Sequence, residues 1–163
     1  MSATDPHFLV AWHSRTGASE ALARAAAQGG AGRARLLEAD RVQPEDIVAA
    51  SACLFVCPEN LATMSGAMKE MFDRCYYPVL GRMEGRAYAT IVAAGSDGQG
   101  AQRQIDRIAT GWRLRRVADP LIVLTDAQTP QAIAARKELS DEHLSQARDI
   151  GSALSHGIGM GLF

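Results

Sequence analysis

Phe8-Leu9-Val10-Ala11-Trp12-His13-Ser14-Arg15-Thr16-Gly17-Ala18-Ser19 is the stretch that decides how this chain is read. Residues 8–12 are an apolar run, and an alanine-rich helical stretch begins at Ala18. A strand, a tight hydroxyl- and glycine-containing turn and a helix N-terminus together make a seat for a phosphate. Amides at the helix start point at the anion, and the helix dipole favours its charge. Ser14, Thr16 and Ser19 add hydroxyl donors, and Gly17 lets the backbone approach closely. An ordinary helix cap needs one hydroxyl. Three hydroxyls around a glycine exceed that need.

Two better-known nucleotide loops are absent. There is no G-x-x-x-x-G-K-[ST], so the lysine that reaches a β/γ-phosphate is missing. There is no G-x-G-x-x-G either, which argues against dinucleotide-type pyrophosphate binding. With Arg15 as its one charged member, the turn suits a single terminal phosphate. That points to a mononucleotide.

Outward from this turn, apolar runs alternate with helical patterns. Strands are expected at 8–12, 34–37, 52–57, 87–94 and 121–124, continuous apolar runs of the kind found in a parallel sheet covered on both faces. A helix over 18–28 ends at Gly29-Gly30. Met64, Met68, Met71, Phe72 and Cys75 share one helical face, and Ile105, Ile108, Ala109 and Trp112 share another. Thr129-Pro130 reads as a cap and first helical position, with a helix running toward Leu139. Ser140 caps a last helix that turns Leu144, Ala147, Ile150 and Leu154 inward, and the glycine-rich tail from Gly157 to Phe163 reads as loose. The expectation is an α/β, doubly wound three-layer sandwich of a single domain over residues 1–163, with a five-stranded parallel sheet; in a sheet of order 2-1-3-4-5 the ends of the first, third and fourth strands are neighbours.

Composition narrows the class of function. A net charge of -1 over 163 residues gives no global pull toward nucleic acid or an anionic membrane. No stretch approaches the ~20 apolar residues of a membrane span, and residues 1–6 have neither the basic start nor the apolar run of a secretory signal. Cys53, Cys57 and Cys75 cannot all pair, and none forms a C-x-x-C, which points to a reduced, cytoplasmic compartment. His7, His143 and His156 form no ligand spacing, so no metal site is expected.

In a doubly wound sheet, ligands bind beyond the C-terminal strand ends where strand order reverses. Two loops besides the phosphate turn fall there. One is Pro58-Glu59-Asn60-Leu61-Ala62-Thr63-Met64-Ser65-Gly66, and the other is Gly95-Ser96-Asp97-Gly98-Gln99-Gly100. Glycine-rich backbone can meet a flat heteroaromatic edge without side-chain interference. Pro58 fixes one wall, while Asn60, Thr63 and Ser96 offer polar contacts. Beside a phosphate seat, these loops point to an FMN-like ligand.

The turn S-R-T-G-A-S resembles the flavodoxin phosphate loop, [ST]-x-T-G-x-[ST]. The segment P-E-N-L-A-T-M-S-G-A-M-K-E-M-F-D-R is similar to the corresponding motif of tryptophan-repressor-binding-protein-type NAD(P)H:quinone reductases and of NADPH-dependent FMN reductases. The resemblance runs from about Phe8 to the last helix. It implies a flavodoxin-like fold, bound FMN, a homodimer or homotetramer, and two-electron transfer from NAD(P)H to a quinone or similar small acceptor. It also implies that Ser14, Arg15, Thr16, Gly17, Ala18 and Ser19 hold the phosphate. Pro58, Glu59, Asn60, Leu61, Ala62, Thr63, Gly95, Ser96, Asp97, Gly98 and Gly100 would hold the ring. The quinone reductases usually carry a longer insertion and an aromatic residue after the helix over 65–75; here Tyr76-Tyr77-Pro78 stands in that region and the next loop is short.

Three functions compete. The first is the two-electron reductase, with no protein acid or base required because the cofactor carries the chemistry. The second is a one-electron carrier, a flavodoxin proper. The near-neutral charge and the lack of an aromatic in 95–100 count against it. The third is a flavin-binding protein without turnover. His13 and the Tyr76-Tyr77 pair are read as either ligand contacts or packing residues.

Overall fold

The computed structural model describes residues 5–163. Most of the segment read for a secretory signal, residues 1–4, lies outside the described residues. β1 (Phe8–Trp12) lies between β2 (Ala34–Glu38) and β3 (Ala52–Asn60), and β5 (Ala87–Ala94) follows β3, all parallel. The edge beyond β5 is one broken strand. β6 (Arg115–Arg116) pairs with the start of β5 and β7 (Leu121–Leu124) with its end. Pro120 stands in the break, where it has no N–H to give to the ladder. A short β4 (Thr63–Met64) folds back antiparallel onto the end of β3. The sheet therefore has seven strands, and its parallel frame keeps the expected 2-1-3-4-5 order with β6 and β7 as the fifth member.

The burial explains the apolar runs. Every residue of β1, the first six of β3 and all of β5 are buried, because helices cover both faces. Successive side chains point to opposite faces. Leu9, Phe55 and Val92 pack under α2 (Pro44–Ala49), α3 (Gly66–Val79) and α4 (Gln99–Gly111). Phe8, Val10, Leu54 and Ile91 pack under α1 (Ala18–Gly29) and α6 (Asp141–Gly159). α1 and α6 cross with their backbones almost touching. A Cβ on Gly151 would run into the Ala26 carbonyl, and one on Gly29 into the Arg148 carbonyl.

Three local readings need correction, and one helix has no counterpart among them. α2 carries no periodic signal long enough to stand out in the sequence. The methionine-rich helix begins at Gly66, because Thr63 and Met64 are taken by β4. The helix expected from Pro130 toward Leu139 stops at Ala134, giving a one-turn α5 (Pro130–Ala134) with no buried residue to extend it. The tail is docked. α6 continues to Gly159, the Leu162 amide donates to the Gly157 carbonyl at 2.9 Å, and the Phe163 ring fills the space where a Cβ on Gly157 would stand. Ser140 caps α6 as read, its hydroxyl accepting from the His143 amide at 3.2 Å.

Candidate functional site

The loops after β1, β3 and β5 emerge at the C-terminal ends of three adjacent strands, around the point where chain order reverses between β1 and β3. In the first loop, Gly17 is the N-cap of α1 with φ 96°. The Gly17 amide donates to Ser14 Oγ at 3.0 Å, which closes the turn. The first intrahelical bond runs from the Ala21 amide to the Gly17 carbonyl at 3.0 Å, and no side chain caps the helix. The amides of Ala18, Ser19 and Glu20 thus precede the helical ladder. The Ser19 hydroxyl is buried, 1% exposed, and has no hydrogen-bond partner. Thr16 is half-buried and Arg15 is exposed.

The second loop is a hairpin. Glu59 pairs with Met64 and Asn60 with Thr63, and the turn between them puts Leu61 at φ 52° and Ala62 at φ 62°. Leu61 is 98% exposed at the tip. The Thr63 hydroxyl donates to the Asn60 carbonyl at 3.0 Å, and the Met64 amide donates to the Gln104 side chain at 2.8 Å. Pro58 is half-buried, in register with Ala93 of β5.

The third loop locks onto the second. Glu59 Oε1 accepts from the Gly98 amide at 2.9 Å and Oε2 from the Ala101 amide at 3.1 Å. That carboxylate is the cap α4 lacks from its own N-cap, Gly98, which sits at φ 84°. Gly100 lies against the Ala62 carbonyl, while Ser96 and Asp97 are exposed. Glu59 is therefore committed to backbone amides and joins the two loops.

Sequence reasoning missed a fourth segment. Residues 125–137 run as a strap from the end of β7 across the other loops. The Thr125 amide donates to the Ala94 carbonyl at 2.8 Å, and the Ala127 carbonyl lies beside Gly95. The Lys137 amide then donates to the Thr16 carbonyl at 2.7 Å, and the Arg136 guanidinium lies against Gly17. The pair Arg136-Lys137 is visible in the chain, but nothing local ties it to residue 16.

Two further side chains join loops. His13 Nδ1 and Ser65 Oγ are hydrogen-bonded at 2.9 Å, which turns the Ser65 hydroxyl away from capping α3. Burial, with the nearby Arg15 charge, holds His13 below its ordinary pKa, so it is neutral at pH 7. Tyr76 and Tyr77 lie elsewhere. Tyr76 stacks on Trp112 at the C-terminal ends of α3 and α4, the far end of the sheet from these loops in the same protomer. Cys53 and Cys57 are buried, and burial pushes both thiols up to about 12. Among the described residues no group of three or more His, Cys, Asp or Glu could hold a metal ion, and no helix is long and apolar enough to cross a membrane.

Fold and loop geometry define an α/β protein of the flavodoxin-like class. Residues 41–127, from the approach to α2 through β7, match the family model of NADPH-dependent FMN reductases, and the chain belongs to that family. Its fold is shared by a flavodoxin from the domain Archaea, at 17% identity over 94% of this chain and 99% of that one, with a TM-score of 0.77. It is shared too by a flavodoxin, WrbA-like protein from Agrobacterium tumefaciens, at 16% identity over 96% and 99%, with a TM-score of 0.69. Rubredoxin oxygen:oxidoreductase from Desulfovibrio gigas aligns at 12% identity over 98% of this chain but 38% of its own, with a TM-score of 0.75. No curated protein matches the sequence.

Proposed function

We propose that this protein binds FMN across its loops and uses it to pass two electrons from NAD(P)H to a quinone or a similar small acceptor. One observation carries the reading: the head of α1 offers amides with no side-chain cap beside a buried Ser19 hydroxyl that has no partner. A buried hydroxyl left unpaired costs roughly 1–3 kcal/mol. A phosphate oxygen accepting from it would offset that cost, so the residues present fit the phosphate of FMN.

Ser14, Arg15, Thr16, Gly17, Ala18 and Ser19 would hold the phosphate. Pro58, Asn60, Leu61, Ala62 and Thr63 would border the ring on one side, and Gly95, Ser96, Asp97, Gly98 and Gly100 on the other. Glu59 holds these two borders together through the α4 amides. Bound FMN supplies the redox chemistry, and the chain supplies position and electrostatics. The family description names NADPH, which supports a nicotinamide donor. Buried, unpaired cysteines support a reducing, cytoplasmic setting. A homodimer or homotetramer completes the proposal.

The test is an anaerobic titration of FMN-loaded protein with NADPH, followed by a quinone. Full loss of the oxidised flavin absorbance, restored by the quinone, is the expected result. No reaction with NADPH or NADH, with dithionite reducing the flavin in two separate one-electron steps, would move the assignment to a carrier. Failure to bind FMN would end the flavin reading.

A further inference from the structure

We propose that Arg136, on the strap that follows β7, clamps the flavin phosphate and makes this site select phosphorylated over unphosphorylated flavin. The inference rests on the FMN reading above and assigns a role to a residue outside the matched span 41–127.

Two adjacent cations on the strap part ways. The Lys137 ammonium folds back on α5, donating to the carbonyls of Ala132 at 2.8 Å, Ile133 at 2.9 Å and Ala135 at 2.6 Å. Its backbone amide meanwhile ties the strap to Thr16. Lys137 is thus used up in holding the strap.

Arg136 is not. Its guanidinium lies over the turn, so close that a Cβ on Gly17 would stand 3.4 Å from Cζ and 3.5 Å from Nη1. No ion pair or hydrogen bond engages it among the described residues. Gly17, the residue it lies against, is the N-cap at the positive end of the α1 dipole and stands two residues after Arg15, so a second cation there is unfavourable on its own. An anion between them reverses the sign. A guanidinium presents a rigid fork of donors that matches a phosphate in pairs. A phosphate monoester is that anion, and riboflavin lacks it.

α5 buries no residue, so the strap is attached at its two ends, by Thr125 and Ala127 to the end of β5 and the loop after it, and by Lys137 and Arg136 to Thr16 and Gly17. Arg136 therefore adds charge to a seat otherwise made of hydroxyls, amides and Arg15. The unpartnered Ser19 hydroxyl in the same turn is an independent sign that this seat is built for a ligand.

The experiment compares wild type with Arg136→Gln, titrating each apoprotein with FMN and with riboflavin by fluorescence quenching. A urea titration of both proteins without flavin checks that the substitution at exposed Arg136 leaves the fold alone, with equal midpoints expected. The expected result is about a tenfold loss of FMN affinity with riboflavin affinity unchanged, the size of one charged hydrogen bond. An FMN-to-riboflavin ratio that stays the same overturns the clamp, whether both affinities hold or both fall. Wild type that binds neither flavin instead removes the FMN reading itself, and the clamp with it.

Discussion

The Glu59 carboxylate accepts the Gly98 amide at 2.9 Å, and through that bond the β3–β4 hairpin caps the helix that follows β5. Two loops that are distant in sequence become one rigid wall. Glu59→Ala should remove this cap and its favourable charge at the α4 N-terminus, costing about 1–2 kcal/mol in urea unfolding. Glu59→Gln should fall between wild type and alanine, because its amide oxygen still accepts one bond. Equal stability of all three proteins would mean that the cap carries no load.

Gly17 and Gly98 share a left-handed backbone but not the same surroundings. A Cβ at Gly98 would stand 2.6 Å from Ile122 Cγ2, whereas at Gly17 its nearest neighbour is the Arg136 side chain at 3.4 Å. Gly98→Ala combines backbone strain with overpacking and should cost about 2–4 kcal/mol. Gly17→Ala should cost about 1–2 kcal/mol from the backbone alone. Thermal and urea unfolding of the two single variants would rank them.

The hairpin tip is strained without a packing return. Leu61 and Ala62 both have positive φ, and Leu61 is 98% exposed. Leu61→Asn with Ala62→Gly supplies the residues this turn prefers and should stabilise the apoprotein by about 1 kcal/mol. A matching fall in FMN affinity would indicate that the leucine is retained for flavin contact.

Ser19→Ala separates stability from binding. Removing a buried, unpaired hydroxyl should leave apoprotein stability unchanged or raise it by about 1 kcal/mol. The same variant should bind FMN about tenfold more weakly. A loss of stability would mean that the hydroxyl has a structural partner.

His13 sets a pH dependence. Its folded pKa lies below the ordinary 6.5 because of burial first and the Arg15 charge second, with Glu38 and Asp40 opposing. The unfolded chain therefore takes up a proton at a pH where the folded protein does not. Stability is full above the unfolded value and falls as pH drops from there through the folded value. Urea midpoints measured across this window should decline in wild type, and the decline should be shallower in His13→Gln.

Much of the architecture was legible in the chain. β1, β3 and β5 are buried on both faces, so their runs had to be continuously apolar, and that pattern survives in one dimension. The α1 turn was legible because its hydroxyls and glycine are local to one strand–helix junction. The premature end of α5 was not, because Thr129-Pro130 is a sound start signal and nothing local says where such a helix must stop. The docked tail was hidden for a similar reason. Phe163 reaches Gly157 only because the last helix ends beside it.

The chain alone fixes the class through strand and helix periodicity and a hydroxyl-rich turn at a helix head, each set by residues within a few positions of each other. Packing in three dimensions is what commits the Glu59 carboxylate to α4, turns Ser65 to His13 and lays Arg136 on Gly17. Those pairings join residues 39, 52 and more than 100 positions apart. A charge shows its sign in a sequence. Its partner is chosen by the fold, because the field of a side chain matters only over the few ångströms that packing brings together.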